Sequence, residues 1–226
     1  MVQTIADTQA ITTLREAHDR FNLSRATDEA LFTEWRDPLP ELTAAAGDEL
    51  NHLKDRYLYY LEDGEISEGT ANIIMVSPLL DTLGLCDPPY RIRGEQWMRL
   101  ALETDTEAGP TVLEGRIDAL TLQDGLWLVV VEGQRGGFSV LQAIPQALAY
   151  MYASAERSSW ANPNPEWPVF GLVTNGYDYL FLKLVQAGSP RYALSHNFTL
   201  LSDEHNNLLR VARVLKRLIA EGSSNG

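Results

Sequence analysis

The chain has 226 residues and a mass of 25.2 kDa, 45% of it hydrophobic and 22% charged. That suits one sizeable domain, with or without an extension, and excludes collagen-like, low-complexity and disulfide-stapled architectures. With 31 acidic against 18 basic side chains the formal net charge is −13, which argues against a chain-wide surface for nucleic acid.

The acidic surplus is uneven: residues 28–68 hold 12 acids and 3 bases, as a solvated acidic face would. The single cysteine, Cys86, has no intrachain partner, which fits a reducing compartment. Residues 1–10 lack the basic start and apolar stretch of a signal peptide. The longest strictly apolar run is the seven residues 147–153, too short to cross a bilayer. These features predict a cytoplasmic protein without a membrane partner.

In chain order, residues 11–23 and 28–35 read as short helices, and Pro38 and Pro40 precede a longer one over 41–61, with Leu50, Leu53, Tyr57 and Leu61 at helical spacing. Asp63-Gly64 ends it. Ser67 is an N-cap candidate for a helix carrying Glu68, Ile73, Ile74 and Leu80, which Pro78 must kink or restart. Residues 90–103 read as a strand running into an acidic loop. Residues 111–122 and 126–132 read as strands joined at Asp124-Gly125. A helix lies within 139–156, with Pro145 kinking or opening it, and a Pro-rich loop spans 162–168. Strands 169–174 and 177–185 flank Asn175-Gly176, a further strand is expected over 192–200, and an amphipathic helix over 203–221. From residue 67 the order is α-β-β-β-α-β-β-β-α, an α/β sandwich with a mixed sheet. Residues 1–62 are expected to form an N-terminal helical extension on a core of 63–226.

Two acids stand in strands where packing alone would not place them. Asp118 lies within Gly115-Arg116-Ile117-Asp118-Ala119-Leu120, and Glu132 ends the apolar run Leu128-Val129-Val130-Val131. A hairpin centred at Asp124-Gly125 pairs positions summing to 249 or 250, which sets the two acids nearly opposite one another. Cross-strand Cβ atoms sit about 4.5–5.5 Å apart, where two carboxylates repel unless a cation lies between them. Such oxygen donors suit Mg²⁺ or Mn²⁺. The same residues also allow a bland arrangement, with Glu132 in solvent and Asp118 paired to Arg116 or Arg135.

The pattern Gly115-x-x-Asp118, then Glu132-x-Gln134, resembles the PD-(D/E)XK nuclease superfamily, and more closely the N-terminal nuclease domain of type I restriction enzyme R subunits and small standalone bacterial relatives. Ser67-Glu68-Gly69-Thr70, running to Ser77-Pro78, is similar to the helix that supplies an accessory glutamate. Gln146-x-x-x-Tyr150 resembles the family's Gln-x-x-x-Tyr motif, and Gly171–Gly176 its following strand and turn.

The resemblance implies a restriction-endonuclease-like α-β-β-β-α-β core. It also implies Asp118, Glu132 and the Gly133 carbonyl as ligands of Mg²⁺ or Mn²⁺, with Glu68 accessory. Gln146 and Tyr150 would touch substrate or the groups behind the site. The implied partner is DNA, a homodimer is admitted, and the implied activity is metal-dependent hydrolysis of DNA phosphodiesters, linked to restriction or repair. One departure stands out: Gln134 occupies the family's lysine position. Glutamine can orient a water but carries no charge. That leaves an alternative, a catalytically inactive nuclease fold that binds nucleic acid or protein.

Several other residues have two readings. Arg135 should point to the opposite side of an extended chain, and Lys183 is a remote substitute for the lysine. Glu68 could simply favour a helix N-terminus, and Gln146, Tyr150 and Gln142 could form a polar helix face. Arg210, Arg213 and Arg217, with Lys216 beside them, could track a phosphate backbone or meet the acidic body of the protein. His18, His52, His196 and His205 show no zinc spacing, and neither a phosphate-binding glycine loop nor a Gly-x-Ser-x-Gly elbow is present.

Overall fold

The computed structural model describes residues 3–6, 11–36, 38–64, 66–88, 90, 96–102, 111–117, 119–122, 126–130, 140–156, 168–202 and 206–223. The turn at Asp124-Gly125, the acidic loop after residue 102 and all but the last residue of the Pro-rich loop lie outside them. The result is mixed α/β, with helices on both faces of a mixed sheet.

The first segment contains β1 (Gln3–Ala6), α1 (Leu14–Phe21), β2 (Ser24–Arg25) and α2 (Ala44–Glu62). α1 is fixed by a capping box: Glu16 N–H donates to Thr13 Oγ1 at 3.2 Å while Glu16 Oε2 accepts from Thr13 N–H at 3.1 Å. It ends at Asn22 in the left-handed region, φ 50°. The helix expected over 28–35 is a single 3₁₀ turn, Glu29–Leu31, where the Asp28 side chain accepts from Ala30 N–H and closes the chain too tightly for an α-helix. α2 starts at the Thr43 cap and buries Leu50, Leu53 and Tyr57. The expected helical extension therefore also contributes two strands.

Next come α3 (Glu68–Ala71), a π-helical turn at Asn72–Val76 and α4 (Ser77–Thr82). Pro78 falls in the first turn of α4, where its missing N–H is harmless, so it restarts the helix after the widened turn. The following strands are β3 (Gln96–Leu102), β4 (Thr111–Ile117), β5 (Ala119–Leu122) and β6 (Leu126–Val130). The one strand expected over 111–122 is thus two strands, and they belong to different sheets. After a 3₁₀ turn at Val140–Ala143 comes α5 (Ile144–Glu156), with Pro145 in its opening turn. Then follow β7 (Val169–Thr174), β8 (Asp178–Val185), β9 (Arg191–Leu194), β10 (Phe198–Thr199) and α6 (Asn207–Ser223). The strand expected over 192–200 is broken at Ser195. Its hydroxyl donates to His196 O at 2.7 Å and accepts from Phe181 N–H at 3.0 Å, turning the chain off the ladder.

Among the described residues the strands form a three-stranded sheet, β1-β4-β3, and a seven-stranded sheet, β2-β9-β8-β7-β6-β5, with β10 pairing beside β8. β6 and β7 are parallel, with α5 as the crossover; β5–β6, β7–β8 and β8–β9 are antiparallel. β7 is buried along its whole length, as a central strand covered on both faces must be. On one face Phe170, Leu172, Tyr179 and Phe181 pack against α2, α4 and α6. On the other, Val173, Leu180, Leu182 and Tyr192 pack against α1 and α5. A Cβ on Gly171 would lie 2.7 Å from Met151 Sδ, so glycine lets α5 sit close to β7.

Candidate functional site

Asp118, Glu132, Gly133 and Gln134 lie outside the described residues, as does Arg135. What the structure defines is the frame around them. Asp118 follows the last residue of β4 and precedes the first of β5. Glu132 comes two residues after the end of β6.

The β5–β6 ladder pairs Ala119 with Val129, Leu120 with Leu128, Thr121 with Trp127 and Leu122 with Leu126. These positions sum to 248, not to the expected 249 or 250. The connection between Leu122 and Leu126 has three residues, and three-residue hairpin loops fix a different register from two-residue ones. In the β6–β7 ladder Leu126 is level with Phe170, Leu128 with Leu172 and Val130 with Thr174. Register partners share a face, so the even-numbered positions of β5 and β6 belong to the face that carries α2, α4 and α6.

Glu68 opens α3, and α3 packs on that same face through Ala71. Ser67 caps it as expected, its Oγ accepting from Thr70 N–H at 3.2 Å. Gln146 and Tyr150 do meet: Gln146 Nε2 donates to the Tyr150 hydroxyl at 2.6 Å. The Tyr150 ring is buried between α5 and the opposite face of the sheet, so this pair and Glu68 stand on different sides.

Lys183, Arg213, Lys216 and Arg217 are committed elsewhere. Lys183 on β8 forms an ion pair with Glu34 in which both side chains are nearly buried, and its ammonium lies 5.6 Å from the Phe170 ring centroid. Lys183 is level with Phe170, which is level with Leu126, four positions and about 13 Å along β6 from Val130. Arg213 donates to Leu39 O, Pro40 O and Glu41, Lys216 to Glu41 O, and Arg217 to Pro38 O and Glu221. These three cations fasten α6 to the loop before α2, the second of the two readings open for them.

A polar cluster that sequence reasoning missed occupies the carboxyl end of β7. The Tyr57 hydroxyl donates to Asn175 O at 2.9 Å, and the Tyr179 hydroxyl donates to Gly176 O at 2.8 Å. Gly176 N–H donates to Thr174 Oγ1 at 2.9 Å, and Asn175 Oδ1 accepts from Tyr177 and Asp178 N–H at 3.2 and 2.8 Å. Burial raises the pKa of both tyrosines well above the usual range, with the neighbouring Tyr177 and Asp178 adding to it at Tyr57. The Asn-Gly pair signals the turn; nothing in local sequence signals a tyrosine 118 residues away beneath it.

Among the described residues no group of three or more His, Cys, Asp or Glu side chains is placed to hold a metal ion, and no helix is long and apolar enough to cross a membrane. No protein-family model matches the chain, and no curated protein matches it.

Proposed function

We propose that the chain is a divalent-metal-dependent, nuclease-like protein that hydrolyses DNA phosphodiester bonds on a restriction-endonuclease-like core. The observation that carries this reading is the strand connectivity around the two acids. β3, β4 with β5, and β6 run successively antiparallel, and α5 then crosses to a β7 parallel to β6, after a helical segment that begins with Glu68. With β4 and β5 counted as one strand broken between two sheets, this order supports the α-β-β-β-α-β core the resemblance implies.

The reading keeps the expectation that Asp118 and Glu132 come from adjoining strands; the described β5–β6 ladder ends at Ala119 and Val129, short of both. An aspartate, a glutamate and a backbone carbonyl form an all-oxygen donor set that fits Mg²⁺ or Mn²⁺. Bound there, the ion would acidify a water and offset charge on the leaving oxygen. Glu68, on the face shared by even positions of β5 and β6, would orient that water. Gln134 would hold it by hydrogen bonding without supplying charge, while Gln146 and Tyr150 brace α5 from the other side.

A second reading, an inactive nuclease fold that binds nucleic acid or protein, is favoured by Gln134 and by the net charge of −13. A plasmid and oligonucleotide cleavage assay in Mg²⁺ and Mn²⁺ separates the two. The expected result is metal-dependent cutting by the wild type, loss of cutting in Asp118→Ala, and a rise of about 10²–10³-fold in Gln134→Lys. An inert wild type whose Gln134→Lys variant cuts would favour the inactive-fold reading. Cutting that survives Asp118→Ala would refute the site.

A further inference from the structure

We infer that the sheet edge built from the last turn of α1, β2 and the start of β9 holds the phosphate backbone of duplex DNA through Arg20, Arg25 and Arg191; the choice of DNA rests on the nuclease reading above. The chain carries 31 acids in 226 residues, so the two segments that meet at this edge, residues 20–27 and 186–199, would at average density hold about three. They hold none, and three arginines. All three arginines are exposed, and none forms an ion pair among the described residues. The nearest acids are engaged or turned away. Glu16 is taken up by the cap of α1, Asp28 accepts from Ala30 N–H, and Asp19, adjacent to Arg20 on the helix, does not face it. Asn22, Ser24, Thr27 and Ser189 are exposed around the arginines and belong to the residue types that join arginine in donating to phosphate oxygens.

The edge is also built to hold these groups in one place. Leu23 N–H donates to His18 O at 3.1 Å, so β2 begins against the last turn of α1. Ser24 N–H donates to Pro190 O at 3.1 Å and Ala26 N–H to Tyr192 O at 2.8 Å, while His18 Nε2 meets the Tyr192 hydroxyl at 3.1 Å. Ser24 is level with Arg191 and Arg25 with Tyr192, which makes Arg25 and Arg191 diagonal neighbours with Cα atoms about 6 Å apart. They belong to opposite faces of the sheet, and β2 is the terminal strand, so a phosphate backbone passing the edge meets guanidinium groups from both faces. A charge that only guards an edge against strand pairing can have either sign, so protection gives no reason to exclude acids. In a molecule of net charge −13 the rest of the surface repels a polyanion, and a local cationic edge therefore also orients its approach.

The test is binding of a labelled 20-base-pair duplex to the full chain in EDTA, followed by anisotropy from about 50 to 300 mM KCl. Metal-free conditions keep the two acids out of the measurement. For the wild type, log affinity should fall with log salt at a slope steeper than about −2, since each neutralised phosphate contributes about −0.9. Replacing Arg20, Arg25 and Arg191 together by glutamine should make the slope shallower by about 2–3 and raise Kd at about 0.1 M salt at least tenfold, with the melting temperature within about 2 °C. Lys54→Gln on α2, the same charge change on the other face of the sheet, should leave the slope unchanged. A wild-type slope shallower than about −2, a result that needs no variant to fold, overturns the inference, as does duplex binding that the triple substitution leaves intact; the nuclease reading survives both and is decided by the cleavage assay. A wild type that binds no duplex but self-associates at low salt, and loses this with the three arginines, overturns the inference in favour of a contact between copies of the chain.

Discussion

Gly176 has φ +95°, and a Cβ there would lie 2.7 Å from both Cε2 and the hydroxyl of Tyr57. Gly176→Ala thus meets two penalties together, a left-handed backbone and a clash with a ring that is itself locked in the core. Denaturant unfolding should show a loss of about 2–4 kcal/mol. Tyr57→Phe removes the clash partner's hydroxyl instead and orphans the Asn175 carbonyl, at about 1–3 kcal/mol near neutral pH. The same substitution has a signature at high pH. Tyr57 and Tyr179 both have folded-state pKa values raised above the unfolded value near 10, because burial disfavours the phenolate. Their contribution is complete below pH 10 and is lost as pH climbs past 10 toward the raised values, since the unfolded chain then binds fewer protons than the folded one. The slope is about 1.4 kcal/mol per pH unit for each ring. Urea unfolding between pH 9 and 11.5 should give Tyr57→Phe a shallower decline than the wild type; parallel declines would refute the assignment.

The Lys183–Glu34 pair joins the middle of β8 to the irregular segment before α2. Both side chains are mostly out of water, so removing one partner leaves an uncompensated charge. Lys183→Met should cost about 3 kcal/mol, and adding Glu34→Leu should restore most of it, as a double-mutant cycle by chemical unfolding would show. Some elements could be read from the chain alone, because their signals are local: the Ser67 cap, the hairpin at Asn175-Gly176, and the 3.6-residue spacing of Leu50, Leu53 and Tyr57. β1 and β2 could not. Strands of four and two residues carry too little alternation to recognise, and each finds its partner more than a hundred residues away, β1 at β4 and β2 at β9. The break at Ser195 was hidden for a related reason: it depends on Phe181 N–H reaching a hydroxyl across the sheet.

For the molecule taken together, the mixed sheet with helices on both faces was legible, because hydrophobic runs and turn signals alternate along the chain in the right order. The candidate centre was legible only in part. Gln146 and Tyr150 meet as their spacing of four requires, since one helical turn brings such positions together regardless of the rest of the fold. The expectation for Asp118 and Glu132 depended on hairpin register, and the β5–β6 ladder sums to 248 where 249 or 250 was expected. The Tyr57–Asn175 contact joins α2 to the far end of β7 and exists only once the core has assembled.

The parallel pairing of β1 with β4 has a practical corollary. Gln3, Thr4, Ile5 and Ala6 lie beside Thr111, Val112, Leu113 and Glu114, on the strand that hands the chain to Asp118 four residues later. Trimming or tagging the amino end therefore alters the pairing of β4, and preparations differing only in their first few residues should not be treated as interchangeable.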